Sequence, residues 1–184
     1  MNSVRIIAGE WRRRLLRFPD SPGLRPTPDR VRETLFNWLG NDLSGLSCLD
    51  LFAGSGALGF EAASRGASRV VMVDNSPSVL AALALNARML GAGQRLEIVR
   101  SDAVRFATST GFRFDVLFLD PPFNQGWIER LERDLPAILA ADGVIYVEAE
   151  RALQACGDWR TARQGRAGKV FYHLMRRGDA DGAE

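Results

Sequence analysis

Four short apolar runs, each closed by an aspartate and each followed by a segment with helical spacing, constrain this chain more than any other feature. The runs lie near residues 47–51, 69–73, 95–100 and 115–119, with Asp50, Asp74, Asp102 and Asp120 at or just past their ends. Parallel strands need a crossover, usually a helix, so strand-like runs alternating with helices predict a mostly parallel central sheet and an α/β fold. Ligands of such sheets bind outside the carboxyl ends of the strands, where all four aspartates fall. Residues 79–90 read as the clearest helix. Residues 127–139 read as helical with a break at Pro136, 143–147 as a fifth strand, and 159–163 with 170–176 as a closing antiparallel hairpin.

The first run enters the segment Asp50-Leu51-Phe52-Ala53-Gly54-Ser55-Gly56-Ala57-Leu58-Gly59. Gly54 and Gly56 allow positive φ and close approach of a ligand, and Gly59 allows a helix to pack tightly on a strand. The spacing fits a dinucleotide fingerprint, and Asp74, 20 positions after Gly54, suits an acid that binds ribose. A nicotinamide oxidoreductase is therefore one reading. Asp50 favours another, because a carboxylate there would repel a pyrophosphate but attract the sulfonium and ammonium of S-adenosylmethionine. The cofactor-binding set is then Asp50, Phe52, Gly54, Gly56, Asp74, Asp102 and Ala103, with Asp102 receiving the adenine amino group. Each acid also has a plain structural role open to it. Asp50 could cap the glycine turn, Asp74 could start the helix at Ser76-Pro77, and Asp102 could cap the helix holding Val104, Phe106 and Ala107.

The last run ends in Leu119-Asp120-Pro121-Pro122-Phe123. Two prolines lock φ and remove two backbone donors, so the loop carbonyls and the Asp120 carboxylate form a set of acceptors with no competing N–H. Such a set suits a flat, amine-bearing base, and Phe123 offers a face to stack on. Asp120, Pro121, Pro122 and Phe123 are accordingly the candidate catalytic residues. The competing reading is a strand-ending turn with Phe123 in the core.

The net charge of +2 hides an uneven distribution. Residues 1–32 carry eight arginines against Glu10, Asp20 and Asp29, a local +5, which leaves −3 for the remainder. A basic arm on a nearly neutral body is the electrostatic footprint of a phosphate-backbone partner, although a solvated charged face would look similar. The arm through Arg17 reads as a two-stranded hairpin turning near Gly9. A Pro/Gly loop follows from 19 to 28, and then a helix with Thr27 as its cap, Pro28 at its first position and Val31, Leu35, Phe36 and Leu39 as its apolar stripe. Arg5, Arg12, Arg13, Arg14, Arg30 and Arg32 are the candidate RNA-binding residues.

Through these motifs the chain resembles class I, Rossmann-like S-adenosylmethionine-dependent methyltransferases, and more closely the RsmD family. The resemblance rests on Arg5-Ile6-Ile7-Ala8-Gly9-Glu10-Trp11-Arg12, on Leu24-Arg25-Pro26-Thr27-Pro28-Asp29-Arg30-Val31-Arg32-Glu33-Thr34-Leu35-Phe36-Asn37, and on the glycine segment continuing to Ser64-Arg65-Gly66-Ala67. Arg13 stands where that family usually carries glycine, and Asp74-Asn75-Ser76 replaces a glutamate-led turn. The resemblance implies methyl transfer to the exocyclic 2-amino group of a guanine in 16S rRNA, at nucleotide 966 of the usual numbering. It implies S-adenosylmethionine as donor, S-adenosylhomocysteine as product and no metal. The expected partner is a small-subunit assembly particle. An adenine amino methyltransferase on RNA or DNA shares nearly every motif and remains a rival, as does a non-catalytic RNA-binding module.

Residues 1–26 then read as arm and loop, 27–177 as the methyltransferase domain and 178–184 as a disordered tail. At 184 residues and 46% hydrophobic composition there is chain for one full core, with little left for a large target-recognition domain. Cys48 and Cys156 offer neither a metal spacing nor a disulfide framework, and His173, in an apolar strand-like run, is assigned no role. No stretch reaches transmembrane length, and the two cysteines are consistent with a reduced cytosol; a cytoplasmic location and a monomer are the expectations.

Overall fold

Three of the four apolar runs become inner strands of an eight-stranded sheet, covered on both faces, and the run at 95–100 becomes its less buried edge strand. The computed structural model describes residues 1–178. In chain order, β1 (Asn2–Arg5) and β2 (Leu15–Phe18) pair antiparallel as the arm, and α1 (Asp29–Trp38) leads into the main sheet. There β3 (Ser47–Asp50), α2 (Ala57–Ser64), β4 (Arg69–Asp74), α3 (Pro77–Leu90), β5 (Leu96–Arg100), α4 (Ala103–Ser109) and β6 (Phe114–Leu119) follow the expected alternation. The remaining elements are α5 (Trp127–Leu131), α6 (Leu135–Ile138), β7 (Leu139–Ala149), β8 (Ala155–Cys156), β9 (Trp159–Ala167) and β10 (Val170–Arg177). The strand order is β5-β4-β3-β6-β7-β10-β9-β8, parallel from β5 to β7 and antiparallel from β10 onward.

One apolar layer joins Cys48, Val70, Met72, Val116, Phe118 and Tyr146 of the sheet to α1, α2, α3 and the arm. The other joins Leu49, Val71, Leu117, Ile145 and Met175 to α4, α5 and α6. Each fully buried Leu, Val or Phe contributes about 1.5–3 kcal/mol, so the two layers supply most of the driving force. The break in the 127–139 helix falls at residues 132–134, and Pro136 sits in the first turn of α6, where its missing N–H has no partner to lose. The fifth strand is longer than its apolar centre and β8 has no distinct sequence signal. Gly178 donates its N–H to the Asp158 carbonyl at 2.9 Å, and the rest of the expected disordered tail, 179–184, lies outside the described residues.

The arm is built into the core rather than projecting from it. Val4, Ile6, Trp11, Leu16 and Phe18 are buried in the layer shared with α1 and α2. Instead of a tight turn at Gly9, residues 6–14 form a wide loop closed by Ile6 N–H to the Arg14 carbonyl and Arg13 N–H to the Ile6 carbonyl, both 2.9 Å. Arg13 holds φ +69°, a conformation that costs a non-glycine residue roughly 1–2 kcal/mol and explains why glycine suits this position.

The loop is held by Glu61 of α2, a fully buried carboxylate. It accepts N–H groups from Ile7 (2.9 Å) and Ala8 (3.0 Å) and pairs with Arg65 Nε (2.9 Å) and Arg32 Nη1 (3.4 Å). Arg32, expected among the RNA contacts, is instead fully buried. Its guanidinium donates to the Thr27 carbonyl at 3.1 Å and the Arg5 carbonyl at 3.0 Å and pairs with Asp29, so all its donors face the protein. Thr27 does not cap α1. Pro28 occupies the cap position without a side-chain bond, because the Thr27 hydroxyl is drawn to the buried carboxylate of Glu148 at 2.7 Å. Removing one partner of a buried charge network leaves the other uncompensated, at about 3–5 kcal/mol. Glu61→Gln should therefore lower unfolding free energy by about 3 kcal/mol in urea denaturation. A change near zero would show that the arm and α1 are held without the Glu61 charge.

Candidate active site

The strand order sets β4, β3, β6 and β7 side by side, so the acids at or near their carboxyl ends, Asp74, Asp50, Asp120 and Glu148, line one edge of the sheet. Neighbouring strands lie about 4.8 Å apart, close enough for these charges to feel one another in a dry environment.

Asp50 is buried, and its Oδ2 accepts the Gly59 N–H at 3.0 Å, which fixes the first turn of α2 over β3. Burial pushes its carboxyl up to about 7, opposed by the Gly59 hydrogen bond and reinforced by the charges of Asp74 and Glu148. No cationic side chain pairs with it among the described residues. Gly54 and Gly56 take φ +51° and +77°. A Cβ on Gly56 would lie 2.7 Å from Leu83 and Phe60, and one on Gly54 would lie 2.8 Å from Leu24 Cδ1, so the loop 19–28 passes over the turn. Gly59 packs against Met72, where a Cβ would meet the sulfur at 2.7 Å.

Asp74 closes the turn through Oδ2, which accepts the Gly54 N–H at 3.1 Å, and starts α3 through Oδ1, which accepts the Ser76 N–H at 2.9 Å. Asp102 is the cap of α4, its Oδ1 accepting the N–H groups of Val104 (3.0 Å) and Arg105 (3.1 Å), with buried Ala103 next to it. These acids thus hold the backbone in the structural roles open to them; the Asp50 and Asp74 oxygens that accept one N–H can each accept a second bond, and Asp102 accepts both of its N–H groups on Oδ1, leaving Oδ2 for another donor. Phe52 meets Trp127 edge-on, ring centroids 5.2 Å apart, which makes α5 a wall of the same region. Trp127 carried no site signal in the sequence.

Beyond β6, Pro121 is buried, Pro122 exposed and Phe123 only partly covered, so Phe123 does not fill the core. Asp120 faces Glu148, the residue that sequence reasoning missed. Glu148 Oε1 accepts hydroxyl protons from Thr27 at 2.7 Å and Tyr146 at 2.8 Å. Burial, the Glu148 and Asp50 charges and the contact with Glu148 hold the Asp120 carboxyl well above the ordinary range. Burial raises Glu148 as well, offset in part by the hydroxyls of Thr27 and Tyr146 and by Asp120. Two carboxylates this close favour sharing one proton over both ionising. No local motif marks Glu148; the only trace in the sequence is an acid directly after the apolar run 144–147 of the fifth strand. His173 is buried, accepting the Leu153 N–H at 3.0 Å on Nε2 and facing the Val147 carbonyl with Nδ1, and so fixes the chain just after Glu148.

The arginines are divided by the fold. Arg30 is exposed near the start of α1, close to Thr27 and the acid edge. Arg12, Arg13 and Arg14 are exposed on the arm loop, which binds Ser64 at the far end of α2 through the N–H groups of Glu10 and Trp11. An eight-residue helix is about 12 Å long, so this cluster sits at the other end of the sheet from Asp120. Arg5 lies exposed on β1.

The chain matches the family described as Conserved hypothetical protein 95 over residues 4–176. It is 44% identical over 179 residues, 95% of this chain and 90% of the relative, to the ribosomal RNA small subunit methyltransferase D of Escherichia coli strain K12. The solved structure of the Escherichia coli protein yhhF, provisionally assigned as a methyltransferase, superposes with a TM-score of 0.86 at 42% identity, covering 96% of this chain and 98% of that one. At the level of fold alone, an RNA methyltransferase from Salinibacter ruber in complex with S-adenosyl-L-homocysteine superposes with a TM-score of 0.68 at 17% identity, covering 87% and 98%. The acid-edged parallel sheet and the full-length matches agree, and the chain belongs to the RsmD family of ribosomal RNA small-subunit methyltransferases.

Proposed function

We propose that this enzyme transfers a methyl group from S-adenosylmethionine to the exocyclic 2-amino group of a guanine in 16S rRNA, nucleotide 966 by family resemblance, within a small-subunit assembly particle. The observation that carries the reading is Asp120, ahead of Pro121-Pro122 and a half-exposed Phe123, set one strand from the Asp50 and glycine-turn edge. The residues fit the cationic donor: Asp50 is a buried acid with no cationic side-chain partner among the described residues, and the turn at 54–56 leaves no room for side chains. Asp50, Phe52, Gly54 and Gly56 would hold the donor, Asp74 its ribose, and Asp102 with Ala103 its adenine. When bound, S-adenosylmethionine supplies an activated methyl group on a sulfonium. Asp120 and the Pro121 carbonyl accept the hydrogens of the amine and aim its remaining lone pair, while Phe123 stacks the unpaired base. Positive charge at the donor site favours the ionised form of Asp120, which is the form that accepts. Exposed Arg5, Arg12, Arg13, Arg14 and Arg30 contribute phosphate contacts, which set affinity and register without base identity. The enzyme works as a monomer in the cytoplasm.

The direct test is methyl transfer from labelled S-adenosylmethionine to small-subunit particles and RNA from cells lacking the protein, with the product nucleoside identified by mass spectrometry. The expected product is 2-methylguanine; methyladenine would overturn the substrate. Asp120→Ala should lower turnover about 100- to 1,000-fold with donor affinity near normal, as removal of one aligned polar group does elsewhere. Wild-type turnover in that variant would remove Asp120 from the mechanism.

Because the arm supplies core residues, its RNA role is best tested by charge alone. Arg12→Gln with Arg13→Gln should reduce the salt slope of RNA binding by about 0.7–0.9 for each phosphate that is no longer neutralised. An unchanged slope would exclude the arm loop from the interface. Asp50 gives a pH test. Its raised carboxyl ionises as pH rises through about 7, and only the ionised form attracts a sulfonium, so the affinity ratio of S-adenosylmethionine to neutral-sulfur S-adenosylhomocysteine should rise across that range. Calorimetry on Asp50→Asn should give a lower and flat ratio; an equal rise in both proteins would assign the titration to another group.

A further inference from the structure

Resting on the guanine reading above, we infer that Glu148 reads the N1–H of the target base while Asp120 holds its 2-amino group, so that the pair selects guanine over adenine. Glu148 is 6% exposed, and one of its oxygens is fixed: Oε1 accepts hydroxyls from Thr27 at 2.7 Å and from Tyr146 at 2.8 Å. Those two partners come from the loop preceding α1 and from β7 itself, so the carboxylate is clamped from two directions. Among the described residues no N–H or O–H group donates to Oε2, and this oxygen is not sealed off, since no fully buried polar side-chain atom among them lacks a partner. The residue beside it is Asp120, on the neighbouring strand, and the two carboxylates approach to hydrogen-bonding range.

Once the positive charge of the bound donor displaces the shared proton, Glu148 and Asp120 are two adjacent acceptors, and that pair has a specific complement. Guanine presents N1–H and the 2-amino group next to each other on its Watson–Crick edge, two donors side by side. Adenine presents an acceptor, N1, beside its 6-amino group, and would set a lone pair against a carboxylate. The base must leave its stack for its edge to reach the loop, and reading that edge is how such pockets recognise a flipped base. Asp120 alone accepts an amine hydrogen from either purine; the second carboxylate is what tells them apart. Sites built to bond a substrate donor reject analogues lacking it by factors of up to about 10⁴–10⁵, because their own polar groups are left unpaired.

The test uses 2,6-diaminopurine, which keeps the 2-amino group, replaces N1–H with an acceptor and carries an amino group in place of O6, so the N1 contribution is read from the change in preference between wild type and the Glu148 variant. Small-subunit particles are reconstituted with RNA carrying guanine or 2,6-diaminopurine at the methylated nucleotide, and kcat/KM for labelled methyl transfer is compared. The wild type should prefer guanine by about 100-fold or more. In Glu148→Ala the preference should collapse towards unity, with donor affinity and thermal unfolding measured alongside. A merely structural role would slow both substrates equally and leave the ratio intact, which would overturn the inference. So would a wild-type preference below about 3-fold, a result that needs no variant and stands if Glu148→Ala does not fold. Absence of 2-methylguanine from the wild type on guanine particles would instead refute the guanine reading on which the inference rests.

Discussion

The buried Glu61 carboxylate is the point on which the arm, α1 and α2 all converge. It takes backbone N–H groups from the arm and guanidinium groups from α1 and the end of α2, while Asp29 and backbone carbonyls satisfy the remaining donors of Arg32. From Glu61 a line of polar contacts runs through Arg32 to the Thr27 carbonyl, from the Thr27 hydroxyl to Glu148, and from Glu148 to Asp120. A continuous line of polar contacts thereby links the basic arm to the acid edge, although the exposed arginines of the arm loop lie at the other end of the sheet. Buried polar chains of this kind are costly when half satisfied and rigid when complete, and among the described residues this one leaves no buried side-chain donor or acceptor unpartnered.

At the other pole of the molecule, electrostatics is deliberately unbalanced. Burial holds the carboxyls of Asp50, Asp120 and Glu148 above their ordinary range, and the charge of Glu148 adds to the rise at Asp50 and at Asp120. Such a cluster is poorly stable as a set of anions and well suited to receive positive charge and N–H donors together. A methyl donor with a sulfonium and a base with an amine supply both. On the proposed reading, residues that oppose one another as neighbouring anions become complementary to donor and base, which is the condition for positioning catalysis.

Much of this was legible before the fold was known. The glycine turn, the alternation of strands and helices, and the placement of Asp50, Asp74, Asp102 and Asp120 at strand ends follow from local pattern, and the strands fall within a residue or two of their apolar runs apart from the longer β7 and β9. The arm was legible as a basic hairpin, but its burial was not, since an arginine that binds phosphate and one that binds a buried carboxylate look alike in a sequence. Arg32 shows the difference: the same motif that suggested an RNA contact supplies an internal brace. Thr27 repeats the lesson, because a threonine before a helix is a natural cap until a stronger acceptor comes within reach.

The sequence by itself therefore determined the sheet class and which end of the strands would carry the chemistry, because both depend on side-chain alternation and on connections between neighbours in the chain. Only the tertiary structure decided which acids meet. Glu148 and Thr27 are 121 positions apart and are brought together by the order β3-β6-β7 and by the packing of the loop ahead of α1 across it. That order depends on how two apolar layers close over both faces of the sheet, a property of the whole core that no local window of residues contains.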